Sequence, residues 1–474
     1  MDRESPVILL GRPLNPFRYL FRNVMPRPVE QLLALLRTGV KTAKELQQAL
    51  GVSQPTLSRL LAGMGGQVVA LGRARQTRYG LPRDVRGAGG EFPVYRISPT
   101  GDAEPAGTLL ALQRGEYWWQ PAAGSGELLR HLPWFIQDLR PDGFMGRAFA
   151  HLQSRELNLP ARLSDWNEEH VLMALSRKGE DGMGNLILGE LSLQRYFQSA
   201  REQPAPVLPP ELPARYEAFA RAALAGDPPG SSAGGEQPKF AALLAEGEEF
   251  RHVLVKFSPT TDTPSGRRWA DLLICEQLAL EELRSQGLRA ASTRIHVTET
   301  RTFLEVTRFD RQGRFGRLPL VSLAAVDNEF FGHLDNWPAA AGRLEKSGML
   351  SAEDADALRL FSAFSTLIAN TDQHFGNISL VETDSKPRFS LAPAYDVLPM
   401  LYRPHQGEVP ARAFAPGLPD AAVAGQWESA RQAALRFWAT AAADARISPD
   451  FREICSCNQG MIQELGNGPR LLGG

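Results

Sequence analysis

The run Asn370-Thr371-Asp372-Gln373-His374-Phe375-Gly376-Asn377, with Asp396 nineteen residues beyond Asn377 in Ala-Pro-Ala-Tyr-Asp-Val, sets two carboxylates and a carboxamide at a spacing that suits phosphoryl transfer. That reaction asks the protein for little covalent chemistry. It needs a hydroxyl aimed at a phosphate and charge neutralised on the transferring group. An Asp, an Asn five residues on and a second Asp after a short hairpin supply a base followed by two metal ligands. Asp372 is the expected base, and Asn377 and Asp396 are hard oxygen donors of the kind Mg²⁺ takes. His374 has no second His or Cys at zinc spacing, so it is expected to position the loop or touch a phosphate. The competing reading is an Asn/Asp-rich turn whose side chains satisfy their own backbone.

The elements around this motif must converge. Glu353 to Ile368 reads as a buried helix ending at Ala369-Asn370, followed by a strand Ile378 to Val381, a turn at Asp384 to Pro387 and a return strand Phe389 to Leu391. Upstream, Ser231-Ser232-Ala233-Gly234-Gly235-Glu236-Gln237-Pro238-Lys239 is a Gly-rich turn whose small residues let backbone N–H groups approach phosphate oxygens. It runs into a hairpin whose second strand, Arg251 to Phe257, carries Lys256 where a kinase lysine reaches nucleotide phosphates. The amphipathic segment Arg268 to Gln286 carries Glu276, placed to pair with that lysine, although a solvent-facing carboxylate is the alternative. Phe303 to Arg311 is an apolar strand turning polar at the position of a hinge, with Asp310 in reach of a ribose hydroxyl.

Together, Ser-Ser-Ala-Gly-Gly-Glu-Gln-Pro-Lys, Val-Lys-Phe, Thr-Arg-Phe-Asp-Arg, Asn-Thr-Asp-x-His-x-x-Asn and Tyr-Asp-Val resemble the HipA-type serine/threonine kinases, toxins of bacterial toxin–antitoxin modules. The resemblance covers about Ser232 to Val397. It implies ATP and Mg²⁺ as cofactors, Asp372 as base, Asn377 and Asp396 on the metal, and Lys256 on the nucleotide phosphates. The loop from Ser232 through Gly234 and Gly235 to Lys239 would lie over those phosphates. It also implies autophosphorylation of a loop serine, which aligns with Ser232 and has Ser231 beside it. Glu236 stands where the family commonly has a small residue. The protein substrate suggested by the resemblance is an aminoacyl-tRNA synthetase or other translation factor. A similar Asp-x-His-x-x-Asn occurs in lipid kinases, so a small-molecule or lipid kinase is one alternative. A transcription regulator whose kinase fold senses nucleotide is another.

The N-terminal region follows a different logic. Gln31 to Arg37 reads as a helix, Thr42-Ala43-Lys44-Glu45 as a capping box opening a second, and Ser53-Gln54-Pro55-Thr56 as the start of a third after the Gly51-Val52 turn. Two helices about a short Gly-containing turn are a helix-turn-helix signature. The segments Val68 to Leu71 and Thr77 to Tyr79 read as a β-hairpin wing. Between Arg27 and Val85 nine basic residues face three acidic ones, a net of +6 in a chain whose total is −1. That local charge suits DNA phosphates. Gln54, Thr56, Ser58 and Arg59 are expected in the major groove, with Arg73, Arg75 and Arg78 on backbone or minor groove. A structural three-helix bundle with a solvated basic face is the alternative.

The 474 residues, 43% of them hydrophobic, exceed one ordinary core. The expected architecture is α+β: a winged helix-turn-helix over 27–85, a small β-rich unit over 91–203, and a bilobal protein-kinase-like domain over 213–474. The middle aromatics Tyr117-Trp118-Trp119 have no interleaved basic residues and read as core. A Pro-rich connector, Pro204 to Pro213, leads into the kinase region. No run is apolar and long enough to span a bilayer, no signal-peptide pattern opens the chain, and Cys275, Cys455 and Cys457 form no disulfide framework. These features point to a cytoplasmic protein with no membrane partner, and a homodimer is an admissible assembly. The helix-turn-helix on the same chain is similar to the single-chain YjjJ-type members of the family.

Overall fold

The computed structural model describes residues 28–226, 237–383 and 388–465. Ser231, Ser232, Gly234 and Gly235, the expected phosphate loop, and the turn expected at Asp384 to Pro387 lie outside the described residues, as does the side chain of Arg75. The chain divides into two compact units, Met1–Pro82 with Leu112–Arg114 and Arg83–Ala111 with Gly115–Gly474.

In the first unit, α1 (Pro28–Arg37), α2 (Ala43–Leu50) and α3 (Gln54–Ala62) close on Leu32, Leu36, Leu46 and Leu57. The expected capping box forms: Thr42 Oγ1 accepts from the Glu45 N–H at 3.2 Å, and the Thr42 N–H donates to Glu45 Oε2 at 2.7 Å. Gly51 ends α2 at φ 63°, a left-handed conformation that favours glycine. The hairpin of β2 (Val69–Leu71) and β3 (Arg78–Gly80) gains a third strand, β1 (Lys41–Thr42), in the order β1-β3-β2. Two residues are too few for an alternating pattern, so β1 was not legible in the sequence. Gln54, Ser58, Arg59, Arg73 and Arg78 are exposed and Thr56 is half-buried.

The second unit opens with β4 (Glu91–Ile97), β5 (Ala103–Ala111), β6 (Tyr117–Pro121), β7 (Glu127–Leu129) and β8 (Leu186–Leu188), in the antiparallel order β7-β6-β5-β4-β8. The helices α4 (Trp134–Gln137), α5 (Gly143–Gln153), α6 (Glu168–Lys178) and α7 (Glu190–Glu202) accompany it. Phe92, Val94, Leu109 and Tyr117 pack with Val171, Leu172 and Leu175 of α6. Tyr117 is fully buried, and Trp119 stacks edge-on against Phe135 at 5.1 Å, so the aromatic cluster is core. The Pro-rich connector turns helical at its end, where α8 (Leu212–Gly226) carries Pro213 in its first turn, a place where a missing N–H is harmless.

A second sheet follows, with β9 (Lys239–Glu246), β10 (Glu249–Phe257), β11 (Thr293–Val297) and β12 (Thr302–Thr307) in the antiparallel order β11-β12-β10-β9. The 22-residue helix α9 (Pro264–Ser285) connects β10 to β11. Short strands β13 (Arg311–Gln312) and β14 (Gly316–Arg317) pair with each other, and β15 (Val321–Ser322) begins a sheet completed by β16 (Ser379–Glu382) and β17 (Phe389–Leu391). Helices α10 (Leu323–Phe330), α11 (Trp337–Lys346), α12 (Ala352–Leu367), α13 (Trp427–Ala443) and α14 (Pro449–Leu465) share one hydrophobic core with that sheet. Their shared core runs through Leu358, Phe364, Leu367, Phe437 and Trp438.

The last turn of α12 is pinned by Trp438, whose indole N–H donates to the Leu367 carbonyl at 3.0 Å. Trp438 is fully buried. Trp438→Phe strands that carbonyl and leaves a void, and is expected to destabilise the chain by about 2–4 kcal/mol in urea unfolding. A loss below about 1 kcal/mol would show that this contact does not anchor the helix end.

Candidate active site

The buried centre of the site is Lys256, only 3% exposed on β10. Its Nζ donates to both oxygens of Glu276 at 2.7 Å and to Asp396 Oδ1 at 2.6 Å. The solvent-facing alternative for Glu276 does not hold, since the side chain is fully buried on the inner face of α9. Burial alone would lower the Lys256 ammonium, but Asp396 and Glu276 outweigh it and hold the lysine above its ordinary range. Burial pushes the Glu276 carboxyl up against the opposing pull of Lys256. Burial also acts upward on Asp396, yet Lys256 and then Lys239 bring its carboxyl down to about 2. Lys239 lies directly across the β9–β10 ladder from Lys256, so both lysines put charge on this carboxylate.

Asp372 sits on the loop after α12, with a third of its side chain open. Its N–H donates to Asn370 Oδ1 at 3.0 Å, and its carbonyl accepts from Asn377 Nδ2 at 2.8 Å. The turn-like reading of this motif is therefore true of the backbone, and it leaves the Asp372 carboxylate outside those bonds. Because the Asn377 amide nitrogen is committed, its carbonyl oxygen is the end that could meet a cation. His374 Nδ1 accepts from the Gly376 N–H at 3.1 Å, and its Nε2 stands 3.8 Å from Asp372 Oδ1. The imidazole thus holds the turn and flanks the carboxylate.

Two non-glycine residues at this site adopt left-handed backbone, Ala369 at φ 59° just before Asn370 and Asp396 at φ 57°. Such conformations cost about 1–2 kcal/mol for an L-residue. Here they are over-determined: the Leu401 N–H donates to the Ala369 carbonyl at 3.0 Å, and Lys256 holds Asp396.

Three residues that support the loop went unread in the sequence. Trp337 Nε1 donates to the His374 carbonyl at 3.1 Å, Tyr395 OH donates to the Gly376 carbonyl at 2.9 Å, and Gln373 Nε2 donates to Thr366 Oγ1 at 2.9 Å. Tyr395 and Gln373 adjoin the motif residues, a usable signal. Trp337 lies 37 positions away from its partner, and no local pattern marks it.

Asp310 departs from the expected ribose contact. It is 5% exposed, and its two oxygens are taken by Arg308, Arg311 and the Gly184 N–H at 2.6–3.0 Å. Gly184 has φ 68°, and a Cβ there would meet the Leu320 carbonyl oxygen at 2.8 Å. The carboxylate is committed to the junction with the 182–184 turn, and the two arginines overcome its burial to bring it down to about 2.

The donor set fits Mg²⁺. Lys256 and Lys239 hold the Asp396 carboxyl well below its ordinary range, the Asn377 carbonyl oxygen is uncommitted by the Asp372 bond, and both are hard donors. Among the described residues no group of three or more His, Cys, Asp or Glu could hold a metal. A cation here would complete its shell with water and phosphate oxygens, as Mg²⁺ commonly does.

Asp310 generates a pH prediction. Its folded carboxyl is depressed, so its contribution is fully present above the ordinary Asp value of 3.8 and is lost as pH falls towards about 2. Asp310→Asn is expected to flatten the acid limb of stability against pH, measured by urea unfolding at a series of pH values. An unchanged slope below pH 3.8 would remove Asp310 from the acid response.

Comparison with known proteins gives this geometry a family. A family model described as YjjJ-like toxin, middle domain, matches residues 88–197, and one described as HipA-like C-terminal domain matches residues 231–461. Toxin YjjJ of Escherichia coli (strain K12) is 38% identical over 457 residues, covering 94% of this chain and 100% of that relative. Among solved structures, the Shewanella oneidensis MR-1 toxin–antitoxin complex of HipA, HipB and operator DNA contains a chain similar at TM-score 0.47 and 16% identity, over 84% of this chain and 96% of that one. The Helicobacter pylori proinflammatory kinase CtkA is similar at TM-score 0.31 and 14% identity, over 48% of this chain and 87% of that one. Neither TM-score is high enough to add weight. The sequence identity along nearly the whole of both chains does, and by it this chain belongs to the YjjJ-like toxins of the HipA-like family.

Proposed function

We propose that the chain is an ATP- and Mg²⁺-dependent serine/threonine protein kinase of the HipA toxin type, carrying its own DNA-binding domain. The observation that carries this reading is the buried Lys256–Glu276 pair reaching Asp396, on elements separate from the Asp372–Asn377 loop. An ion pair within a buried core is weak evidence for stability by itself. Three charges brought together from β10, α9 and the segment after β17 have a ready explanation as a device that orients a lysine towards phosphate.

In this reading Asp372 accepts the proton of the substrate hydroxyl, with His374 beside it and the loop braced by Asn370, Asn377, Trp337 and Tyr395. Lys256 holds nucleotide phosphates, and the loop from Ser232 to Lys239 lies over them. Asn377 and Asp396 hold Mg²⁺, which when bound neutralises charge on the transferring phosphoryl group. Ser232, or Ser231 beside it, is the autophosphorylation site. The protein substrate is of the aminoacyl-tRNA synthetase or other translation-factor class.

The N-terminal region is read as a winged helix-turn-helix over 27–85, with 91–203 as a middle unit and 213–474 as the kinase core. Gln54, Thr56, Ser58 and Arg59 face DNA, and Arg73, Arg75 and Arg78 serve its backbone or minor groove. The exposure of Gln54, Ser58, Arg59, Arg73 and Arg78 supports this reading. A tethered kinase would act near its bound operator.

Mass spectrometry of the wild type and Asp372→Ala after incubation with ATP and Mg²⁺ tests the catalytic reading. Phosphate on Ser231 or Ser232 is expected in the wild type, with about a hundredfold slower incorporation or more in the variant. Equal incorporation in both would remove Asp372 from the chemistry. For DNA, Arg73→Ala with Arg78→Ala should weaken binding to duplex and reduce the slope of log K against log salt by about 2. An unchanged salt slope would place those arginines off the DNA.

A further inference from the structure

A cavity of about 500 Å³ opens on the face of the β9–β10 hairpin at Ala241, Leu243 and His252, away from the motif loop. Five arginines supply much of its polar wall, opposed by Glu180, Asp181 and Glu202. Arg308 and Arg311 spend most of their N–H groups on Asp310, Asp181 and the 182–184 backbone. Arg317 does not. It is 4% exposed, its Nη2 donates to the Glu180 carbonyl, and its Nη1 has no hydrogen-bond partner. A guanidinium buried with a spare donor is costly unless an acceptor arrives. Burial and then the neighbouring Arg311 charge pull Arg317 down to about 10, with Asp181 acting against them. Arg314, also on the wall, has an unpartnered Nε.

The wall has an apolar side as well. Arg317 lies over the Tyr196 ring at 5.0 Å and Arg314 lies 5.7 Å from the Phe315 ring. Both rings line the same cavity. Arginine forks match the oxygens of a phosphate bidentately, and the volume suits an organic molecule better than a bare ion. We propose that this cavity binds a small phosphomonoester metabolite, its phosphate on Arg317 and Arg314 and its organic part against Tyr196 and Phe315. The cavity lies on the same face of the hairpin as Lys256 and Lys239, and the proposal that it holds a ligand other than the nucleotide does not depend on the kinase reading.

Asp181 supplies the discriminating test. Its side chain is 64% exposed, it lines the cavity, and it stands 2.9 Å from Arg311 Nη2 and 3.6 Å from Arg308 Nη1, competing with any incoming anion. Calorimetric titration of the full chain with glucose 6-phosphate, UMP and inorganic phosphate, with and without excess non-hydrolysable ATP analogue and Mg²⁺, reads the site directly. At least one organic phosphate should bind about tenfold more tightly than inorganic phosphate, whether or not the ATP analogue is present. Arg317→Lys should weaken that binding about tenfold. Asp181→Asn should tighten it, and Arg195→Ala, at the exposed rim, should weaken it. The last two are surface changes and keep the test alive if Arg317→Lys fails to fold. Absence of binding, equal affinity for inorganic phosphate, displacement by the ATP analogue, or indifference to both Asp181→Asn and Arg195→Ala would each overturn the proposal.

Discussion

The structure of the candidate site depends on keeping one ammonium charged where water is excluded. Lys256 lies almost wholly inside the protein, and a buried lysine ordinarily tends to lose its proton. Two carboxylates prevent this, Glu276 from α9 and Asp396 from the segment after β17. Neither is on the same element as the lysine, so the charge balance holds only while sheet, helix and loop keep their places. Displacing the sheet that carries Lys256 would leave two buried carboxylates without their shared ammonium, at a cost of several kcal/mol.

That demand explains features that look unfavourable in isolation. Asp396 sits at φ 57° and Ala369 at φ 59°, conformations a free chain would leave. The helical core beneath them holds the second, with Trp438 fixing the end of α12 and Leu401 the Ala369 carbonyl. The loop between Asn370 and Asn377 then uses its own side chains as backbone partners. Its Asp372 carboxylate is left out of those bonds, rigidly mounted and partly open. The turn-like bonds of this loop therefore do not preclude a chemical role for Asp372.

The arginine-rich junction around Asp310 follows a different balance. Asp310 compensates Arg308 and Arg311 inside the protein, whereas Arg317 retains an unused donor. The Thr-Arg-Phe-Asp-Arg run belongs to this junction, and its arginines line a cavity distinct from the Asp372–Asn377 loop.

The sequence by itself determined the local elements and the residue types at the site. Helical periodicity marked α12, the capping box at Thr42 and Glu45 marked α2, and the spacing of Asp372, Asn377 and Asp396 marked a chemistry, because these signals are carried by neighbouring residues. It could not say whether Glu276 faced solvent or lysine, since an amphipathic helix shows which residues are apolar and not what its polar ones meet. It misplaced Asp310, whose partners include Gly184, 126 positions away. It gave no sign of Trp337 or of the β1 strand. Those were decided by tertiary structure alone, because charge pairing and hydrogen bonding across distant segments depend on where the core brings them together.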